Sequence, residues 1–192
     1  MSLGGHKNHL AYIIGIALGD GNLSNPNGRA VRLRITCDKK YENIIKNIIS
    51  SLNIILPKNK ISIINRGDNC VDISCYSNKL EEYLGWKAND GSKYNQKVSV
   101  PDWIKFEEDF TLKCLRGLFE TDGSIYFDRK YVMVNFVTII PNLHKDVVEM
   151  IKEIGFKPNI QIHRQLNRKD KYTIRITKNA KDFIELVGIN KS

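Results

Sequence analysis

Two aspartates stand where aspartates are locally unfavourable. Asp20 follows the apolar run Ala11-Tyr-Ile-Ile-Gly-Ile-Ala-Leu-Gly19, and Asp122 follows Lys113-Cys-Leu-Arg-Gly-Leu-Phe-Glu-Thr121. Each is succeeded by a glycine, Gly21 or Gly123, the residue type that ends helices. A carboxylate at a helix C-terminus faces the negative end of the macrodipole, at a cost of about 0.3–1 kcal/mol. The pattern occurs twice, 102 positions apart. Two such ends brought together would set like charges side by side, which is unfavourable unless a cation lies between them. Hard carboxylate oxygens of this kind suit Mg²⁺, which takes its remaining ligands from water and substrate phosphate. No Ser-His-Asp or Cys-His arrangement offers a covalent route. Cys37, Cys70, Cys75 and Cys114 form no C-x-x-C pair and have no histidine at ligand spacing, so zinc is not expected.

The two helices that must position these aspartates are apolar nearly all round, which requires burial. Small residues recur at i and i+4 in both, Gly15 with Gly19 and Gly117 with Thr121. That spacing places them on one face, where a second helix backbone can approach closely. The economical expectation is that the two helices bury each other through Gly15, Gly19, Gly117 and Thr121.

The rest of the chain repeats around them. After the first helix, the turn cluster Ser24–Gly28 leads to an alternating strand, Arg29–Cys37, with Val31, Leu33 and Ile35 on one face and Arg32, Arg34 and Thr36 on the other. A helix follows over Tyr41–Leu52, then a hairpin of Lys60–Asn65 with Val71–Tyr76, then a short helix over Lys79–Leu84 closing at Gly85. The second half offers a turn region at Tyr126–Tyr131, a strand over Val132–Thr138 and a helix over His144–Ile154. A hairpin of Asn159–His163 with Lys171–Thr177 and a helix over Ala180–Val187 complete it. Corresponding elements recur at offsets of about 101–103, the mark of an internal duplication. The expected fold class is α+β: two pseudo-symmetric αββαββα repeats, with curved antiparallel sheets carrying helices on one face. The boundaries are a flexible leader at 1–9, a first repeat at 10–86, a polar linker at 87–102 and a second repeat at 103–192.

Leu115-Arg-Gly-Leu-Phe-Glu-Thr-Asp-Gly123 closely resembles the LAGLIDADG motif of homing endonucleases, with Gly117, Leu118, Asp122 and Gly123 identical to it. Ile13–Gly21 is a looser copy that keeps Gly15, Asp20 and Gly21. The resemblance spans about residues 8–190 and implies a single-chain, two-motif, Mg²⁺-dependent endonuclease that cuts a long, partly palindromic duplex site. Mn²⁺ would substitute, and Ca²⁺ would bind without cleavage. Asp20 and Asp122 would meet over the minor groove and hold metal with the backbone carbonyls of Gly19 and Thr121. Family members also place a lysine from each half near the scissile phosphates; Lys97 matches the first position. The second falls near 199, beyond Ser192, leaving Lys178 or Lys191 as substitutes. Glu120 has no acidic counterpart at Leu18 and is assigned a supporting or structural role. Cys37 and Thr138 stand where members often carry glutamine, which bears on water positioning. A Gly…Lys…Val-Pro segment before the second motif resembles the versions found within inteins. The chain ends lack splicing residues, which points to a free-standing domain.

The polar sheet face would carry Arg32, Arg34, Thr36, Ser62, Asp72, Ser74 and Tyr76 from the first half. Asn135, Gln161, His163, Thr173, Arg175 and Thr177 would come from the second. Arg can read guanine bidentately and Asn or Gln adenine, and a two-stranded ribbon fits the major groove. Lysine and arginine number 30 against 21 acids, a balance that fits a polyanion partner. The apolar run at Ala11–Leu18 is too short to span a bilayer. With no secretory signal, the expectation is a cytoplasmic monomer bound to double-stranded DNA. The alternative is a catalytically weak or inactive relative, a transcription regulator or intron maturase that binds nucleic acid without cutting it.

Overall fold

A computed structural model describes residues 3–164 and 166–191. The first repeat consists of α1 (Leu3–Gly19), β1 (Gly21–Ser24), β2 (Arg32–Asp38), α2 (Glu42–Ile55), β3 (Ile61–Asn65), β4 (Cys70–Tyr76) and α3 (Leu80–Leu84). A short α4 (Asp102–Lys105) leads into the second repeat, which has α5 (Glu108–Thr121), β5 (Gly123–Asp128), β6 (Tyr131–Thr138), α6 (Pro141–Glu153), β7 (Asn159–His163), β8 (Lys171–Ile176) and α7 (Ala180–Val187). Each repeat builds one antiparallel four-stranded sheet, in the orders β1-β2-β4-β3 and β5-β6-β8-β7. The expected duplication and αββαββα order are therefore present, with α4 added between the halves.

Alternation in the strands decides which face is covered. In β2, Leu33, Ile35 and Cys37 are buried while Arg32, Arg34 and Thr36 remain partly accessible. In β4, Val71 and Ile73 point the same way as Leu33 and Ile35 and join the same core. The amphipathic α2 covers that face with Ile44, Ile48, Leu52 and Ile55, spaced at three and four residues. In the second half Val134, Phe136, Ile174 and Ile176 are covered by α6 and α7, where Phe119, Phe136 and Phe183 pack with ring centroids 5.1–5.5 Å apart. α3 and α7 end on left-handed glycines, Gly85 (φ 84) and Gly188 (φ 71), as their sequences suggest.

The centre of the molecule is the pair α1 and α5. A Cβ added to Gly15 would lie 2.2 Å from the carbonyl oxygen of Cys114, and one on Gly117 would lie 2.5 Å from the carbonyl oxygen of Tyr12. Backbone meets backbone, so no side chain can give way.

Several boundaries differ from the sequence reading. The expected leader is helical from Leu3, because α1 continues upstream to pack on its neighbours: His9 Nδ1 lies 3.0 Å from Ser51 Oγ of α2, and Lys7 Nζ sits 5.9 Å from the Trp103 ring centroid. Gly4 and Gly5 argue against a helix there, and tertiary contact overrides them. Met1 and Ser2 lie outside the described residues, as does Ser192 at the end of the second repeat. β2 begins at Arg32 rather than Arg29. The presumed turn region at Tyr126–Tyr131 is mostly strand: β5 runs to Asp128 and only Arg129–Lys130 turns, with Arg129 at φ 55.

The helix contact yields a stability test. Gly117→Val should destabilise the fold by about 3 kcal/mol or more, because the new side chain cannot be accommodated without separating the helices. Gly67→Ala, where a Cβ meets nothing within 4 Å, should change stability by no more than about 0.5 kcal/mol. Chemical denaturation of both variants measures the contrast.

Candidate carboxylate centre and nucleic-acid interface

The α1–α5 contact delivers the two aspartates to one place. A Cβ on Gly19 would come within 2.1 Å of Thr121 Oγ1 and 3.4 Å of Asp122 Oδ2, so the ends of the two helices touch. Thr121 Oγ1 donates back to the carbonyls of Gly117 and Leu118, both at 3.0 Å, which folds the side chain onto its own helix and leaves room for the Gly19 backbone. Asp20 and Asp122 follow directly, each with its backbone N–H closing the last turn at 3.0 Å, onto the carbonyls of Ile16 and Leu118.

Both carboxylates remain accessible, yet the packed helix ends behind them strip away part of their hydration. That desolvation raises the Asp20 pKa against the opposing pull of Lys93 and Lys191. Asp122 is pushed up to about 6, first by desolvation and then by the negative charge of Asp20. The charge of Asp20 thus disfavours ionisation of Asp122, as like charges brought together should.

Two lysines act on the aspartates, and Lys97 is not among them. Lys97 is exposed, with φ 51, and its carbonyl accepts a hydrogen bond from Asn142 Nδ2 at 2.9 Å. The cations acting on both aspartates are Lys93 and Lys191. Lys93 Nζ donates to the carbonyls of Ala17 (3.1 Å), Leu18 (2.6 Å) and Gly19, at the end of α1. Lys191 Nζ donates to the carbonyls of Thr121 (3.0 Å) and Gly123, at the end of α5. Desolvation lowers the pKa of each, and the aspartates counteract it. Of the two lysines considered for the second position, Lys191 is the one that acts on the aspartates. The sequence signal was spacing: Lys93 lies 73 residues after Asp20 and Lys191 lies 69 after Asp122. The segments carrying them share no motif, so spacing alone did not separate Lys93 from Lys97.

Glu120, assigned a supporting role, is buried and fully engaged. It accepts from Tyr12 Oη at 2.7 Å, Arg116 Nε at 2.8 Å and the Asn190 backbone N–H at 3.1 Å. The last contact anchors the chain next to Lys191. Cys37 is buried close enough to Asp20 for that charge to add to the desolvation that pushes its thiol up to about 12. Thr138 is also buried, its Oγ1 accepting from the Ile140 N–H at 3.1 Å.

On either side, the uncovered sheet faces carry most of the polar residues expected there. Register aligns Ser24, Arg32 and Tyr76 in one cross-strand row, Asn22, Arg34, Ser74 and Ser62 in a second, and Thr36 with Asp72 in a third. Arg32 Nε donates to Ser24 Oγ at 3.2 Å, and Thr36 Oγ1 to Asp72 at 2.6 Å. In the second sheet Ser124, Asn135, Arg175 and Asn159 form one row, and Thr173 pairs with Gln161 in another; His163 pairs with Lys171. A chain of hydrogen bonds runs from Arg175 Nε to Asn135 Oδ1 (3.1 Å) and from Asn135 Nδ2 to Tyr126 Oη (3.2 Å). Thr177 lies just past the end of β8, where its hydroxyl accepts from Asn159 Nδ2 at 3.3 Å. Ser74 and Thr173 are buried beneath their neighbours, leaving their longer partners more accessible. Ser24, Asn22 and Tyr126 are additions that strict strand alternation from Gly21 and Gly123 would have supplied. Beside Asp122 a cavity of about 390 Å³ is lined by Lys93, Tyr94, Lys169 and Lys171, with Lys169 Nζ 3.8 Å from the Tyr94 ring centroid.

Among the described residues no three His, Cys, Asp or Glu side chains converge. The centre therefore offers two carboxylates and the helix-end carbonyls, an all-oxygen donor set that fits a hard divalent cation completed by water and substrate oxygens. Among the described residues no helix is long and apolar enough to cross a membrane.

The raised Asp122 pKa has a sign that can be checked. The folded protein holds this proton more tightly than the unfolded chain, so stability is greatest with Asp122 protonated and falls as pH rises from about 4 to about 6. Asp122→Asn should flatten that part of the pH–stability curve and raise the Tm at pH 7.5, as thermal unfolding across the pH range would measure.

Comparison with known proteins converges on one family. Residues 109–188 match the LAGLIDADG-like domain model, and residues 9–71 match the WhiA LAGLIDADG-like domain model. The homing endonuclease I-DmoI, in a structure with DNA and Mn, superimposes with a TM-score of 0.64 at 23% identity over 97% of this chain and 98% of that one. The N-terminal LAGLIDADG domain of DUF199/WhiA superimposes with a TM-score of 0.64 at 15% identity, covering 100% of this chain and 88% of that one. A tRNA-splicing ligase RtcB from Methanopyrus kandleri is 28% identical over 205 residues, which take in 93% of this chain but only 20% of the ligase. The chain thus spans about a fifth of the length of that curated relative. With both motif helices, the two pseudo-symmetric repeats and both family models accounted for, the chain belongs to the LAGLIDADG family, of the two-motif, single-chain type.

Proposed function

We propose that the protein binds a long duplex DNA site across its two sheets and hydrolyses both strands at the junction of α1 and α5 with a divalent cation. The observation that carries this reading is the pairing of Asp20 with Asp122 and of Lys93 with Lys191, between two uncovered polar sheet faces. Structures of I-DmoI, a homing endonuclease of the same fold, with DNA and Ca, Mn or Mg support it.

Within this reading, Asp20 and Asp122 hold the cation with help from the Gly19 and Thr121 carbonyls. When bound, Mg²⁺ supplies charge neutralisation at the phosphate and a water of lowered pKa. Lys93 and Lys191 steady the negative charge that builds on the phosphoryl oxygens. Arg32 and Arg34 meet base edges or phosphates on one half-site. On the other, Arg175, Asn135, Gln161 and His163 do so, with the Arg175–Asn135–Tyr126 chain fixing donor directions before DNA arrives. Ser62, Ser74, Tyr76, Thr36, Thr173 and Thr177 contribute hydroxyls to the same surfaces. Glu120 keeps Lys191 in place through Asn190.

A second reading, binding without cleavage, draws on Cys37 and Thr138. Both stand where family members often carry glutamine, and both are buried, with the Thr138 hydroxyl already engaged. Selection on a randomised duplex library separates the two readings. Enrichment of one long site cut in Mg²⁺ but only bound in Ca²⁺ is the outcome expected of a nuclease, whereas enrichment by binding alone in both ions is that of a binding module.

On the selected site, Asp20→Asn or Asp122→Asn should abolish double-strand cleavage while leaving affinity near that of the parent. Retained double-strand cutting would remove the carboxylates from the mechanism. The lysine assignment has its own test: Lys93→Ala should slow single-turnover cleavage by about 100-fold or more, whereas Lys97→Ala should leave the rate unchanged.

A further inference from the structure

The ammonium groups of Lys93 and Lys191 contact the same carbonyls that a metal would use. Lys93 holds the Gly19 carbonyl together with those of Ala17 and Leu18, and Lys191 holds the Thr121 carbonyl with that of Gly123. Those of Ala17, Leu18, Gly19 and Thr121 are C-terminal carbonyls of α1 and α5, which no intrahelical N–H can satisfy, and that of Gly123 opens β5. Both lysines also attract both aspartates. In the free protein, two carboxylates and two ammoniums leave the centre formally neutral. The helix ends are satisfied, and the repulsion between Asp20 and Asp122 is screened.

We infer that Lys93 and Lys191 are displaceable internal counter-ions, which occupy the cation site of the free protein and leave it when DNA phosphate arrives. This inference rests on the proposed metal-dependent reading of the same centre and goes on to the order in which its charges assemble. A divalent ion entering the neutral centre would give it a net charge of +2, with two ammoniums pressed against the newcomer. Two backbone phosphates, one from each strand, restore neutrality and offer the ammoniums better acceptors than neutral carbonyls. Metal binding and DNA binding then help each other, by the same factor in both directions. The free protein holds divalent ions weakly, and the centre becomes complete only on its substrate.

Lys93 and Lys191 are arranged alike despite lying in unrelated segments, one between the repeats and the other near the end of the second. Glu120 supports the second arrangement by fixing the Asn190 N–H at 3.1 Å, which sets the reach of Lys191. The first is supported by the Lys93 backbone, whose carbonyl accepts from the Val98 N–H at 3.1 Å and closes the loop that carries it.

The test titrates Ca²⁺ into the DNA-free protein by isothermal calorimetry. Lys93→Met/Lys191→Met keeps the length of each side chain and removes both charges. It should bind Ca²⁺ on the order of tenfold or more tightly than the parent, and adding Asp20→Asn to the double variant should abolish the gain. Either single variant, which retains one ammonium, should fall between, so the result does not depend on the double variant folding. Parent protein binding Ca²⁺ as tightly as the lysine variants would overturn the counter-ion role and leave the metal-dependent reading intact. Absence of Ca²⁺ binding above the Asp20→Asn level in parent and lysine variants alike would overturn both.

Discussion

The approach of two helix backbones at Gly15 and Gly117 is the constraint on which the rest depends. A hydrogen in place of a side chain at each position lets α1 and α5 approach until carbonyl and Cα nearly touch. That distance is shorter than side-chain packing permits between helices, and it brings the C-termini close enough for their aspartates to repel. The sheets follow, because β1 and β5 begin at Gly21 and Gly123, immediately after those termini. The orientation of each polar face is thereby tied to the helix pair. The same crowding that creates the carboxylate centre also aims the two surfaces that flank it.

Electrostatics at that centre show a local rule broken in favour of a site. A helix C-terminus favours a cation, and each of these carries an aspartate instead. The structure answers with Lys93 and Lys191, which satisfy the carbonyls and offset the carboxylates together. Burial weakens the charged form of all four groups, so each depends on the others. Glu120 illustrates the opposite case. Its carboxylate is fully buried but bonded to Tyr12, Arg116 and Asn190, which makes it a structural anchor.

Much of this was legible in the sequence because it is carried by periodicity. Small residues at i and i+4 announced the helix pair, alternation from Leu33 to Cys37 announced the covered face, and recurrence near 102 residues announced the duplication. Where sequence reasoning failed, the determining contact was long-range. Nothing local in Leu3–His9 favours helix over leader; contacts with Ser51 and Trp103 do. Nothing local separates Lys93 from Lys97 either, four residues apart in a polar loop. Only the closure of that loop, with Val98 bonded back to Lys93, decides which ammonium turns inward. The turn was drawn too wide, over Tyr126–Tyr131, because Arg129–Lys130 lacks the glycine or asparagine that usually marks a left-handed turn position.

Duplication within one chain has a consequence for the two sheet faces. The helix contact is made by backbone atoms and by glycines that no polar residue of the sheet faces adjoins in sequence, so it places no demand on what the strands display. The first face carries Arg32 and Arg34 beside Ser24 and Asp72, while the second carries an Arg175–Asn135–Tyr126 relay and an exposed β7. A symmetric dimer of identical subunits would have to change both faces together. Here each face is encoded separately, and the covalent join lets one half change what it displays while the other, and the glycine contact between them, stays as it was.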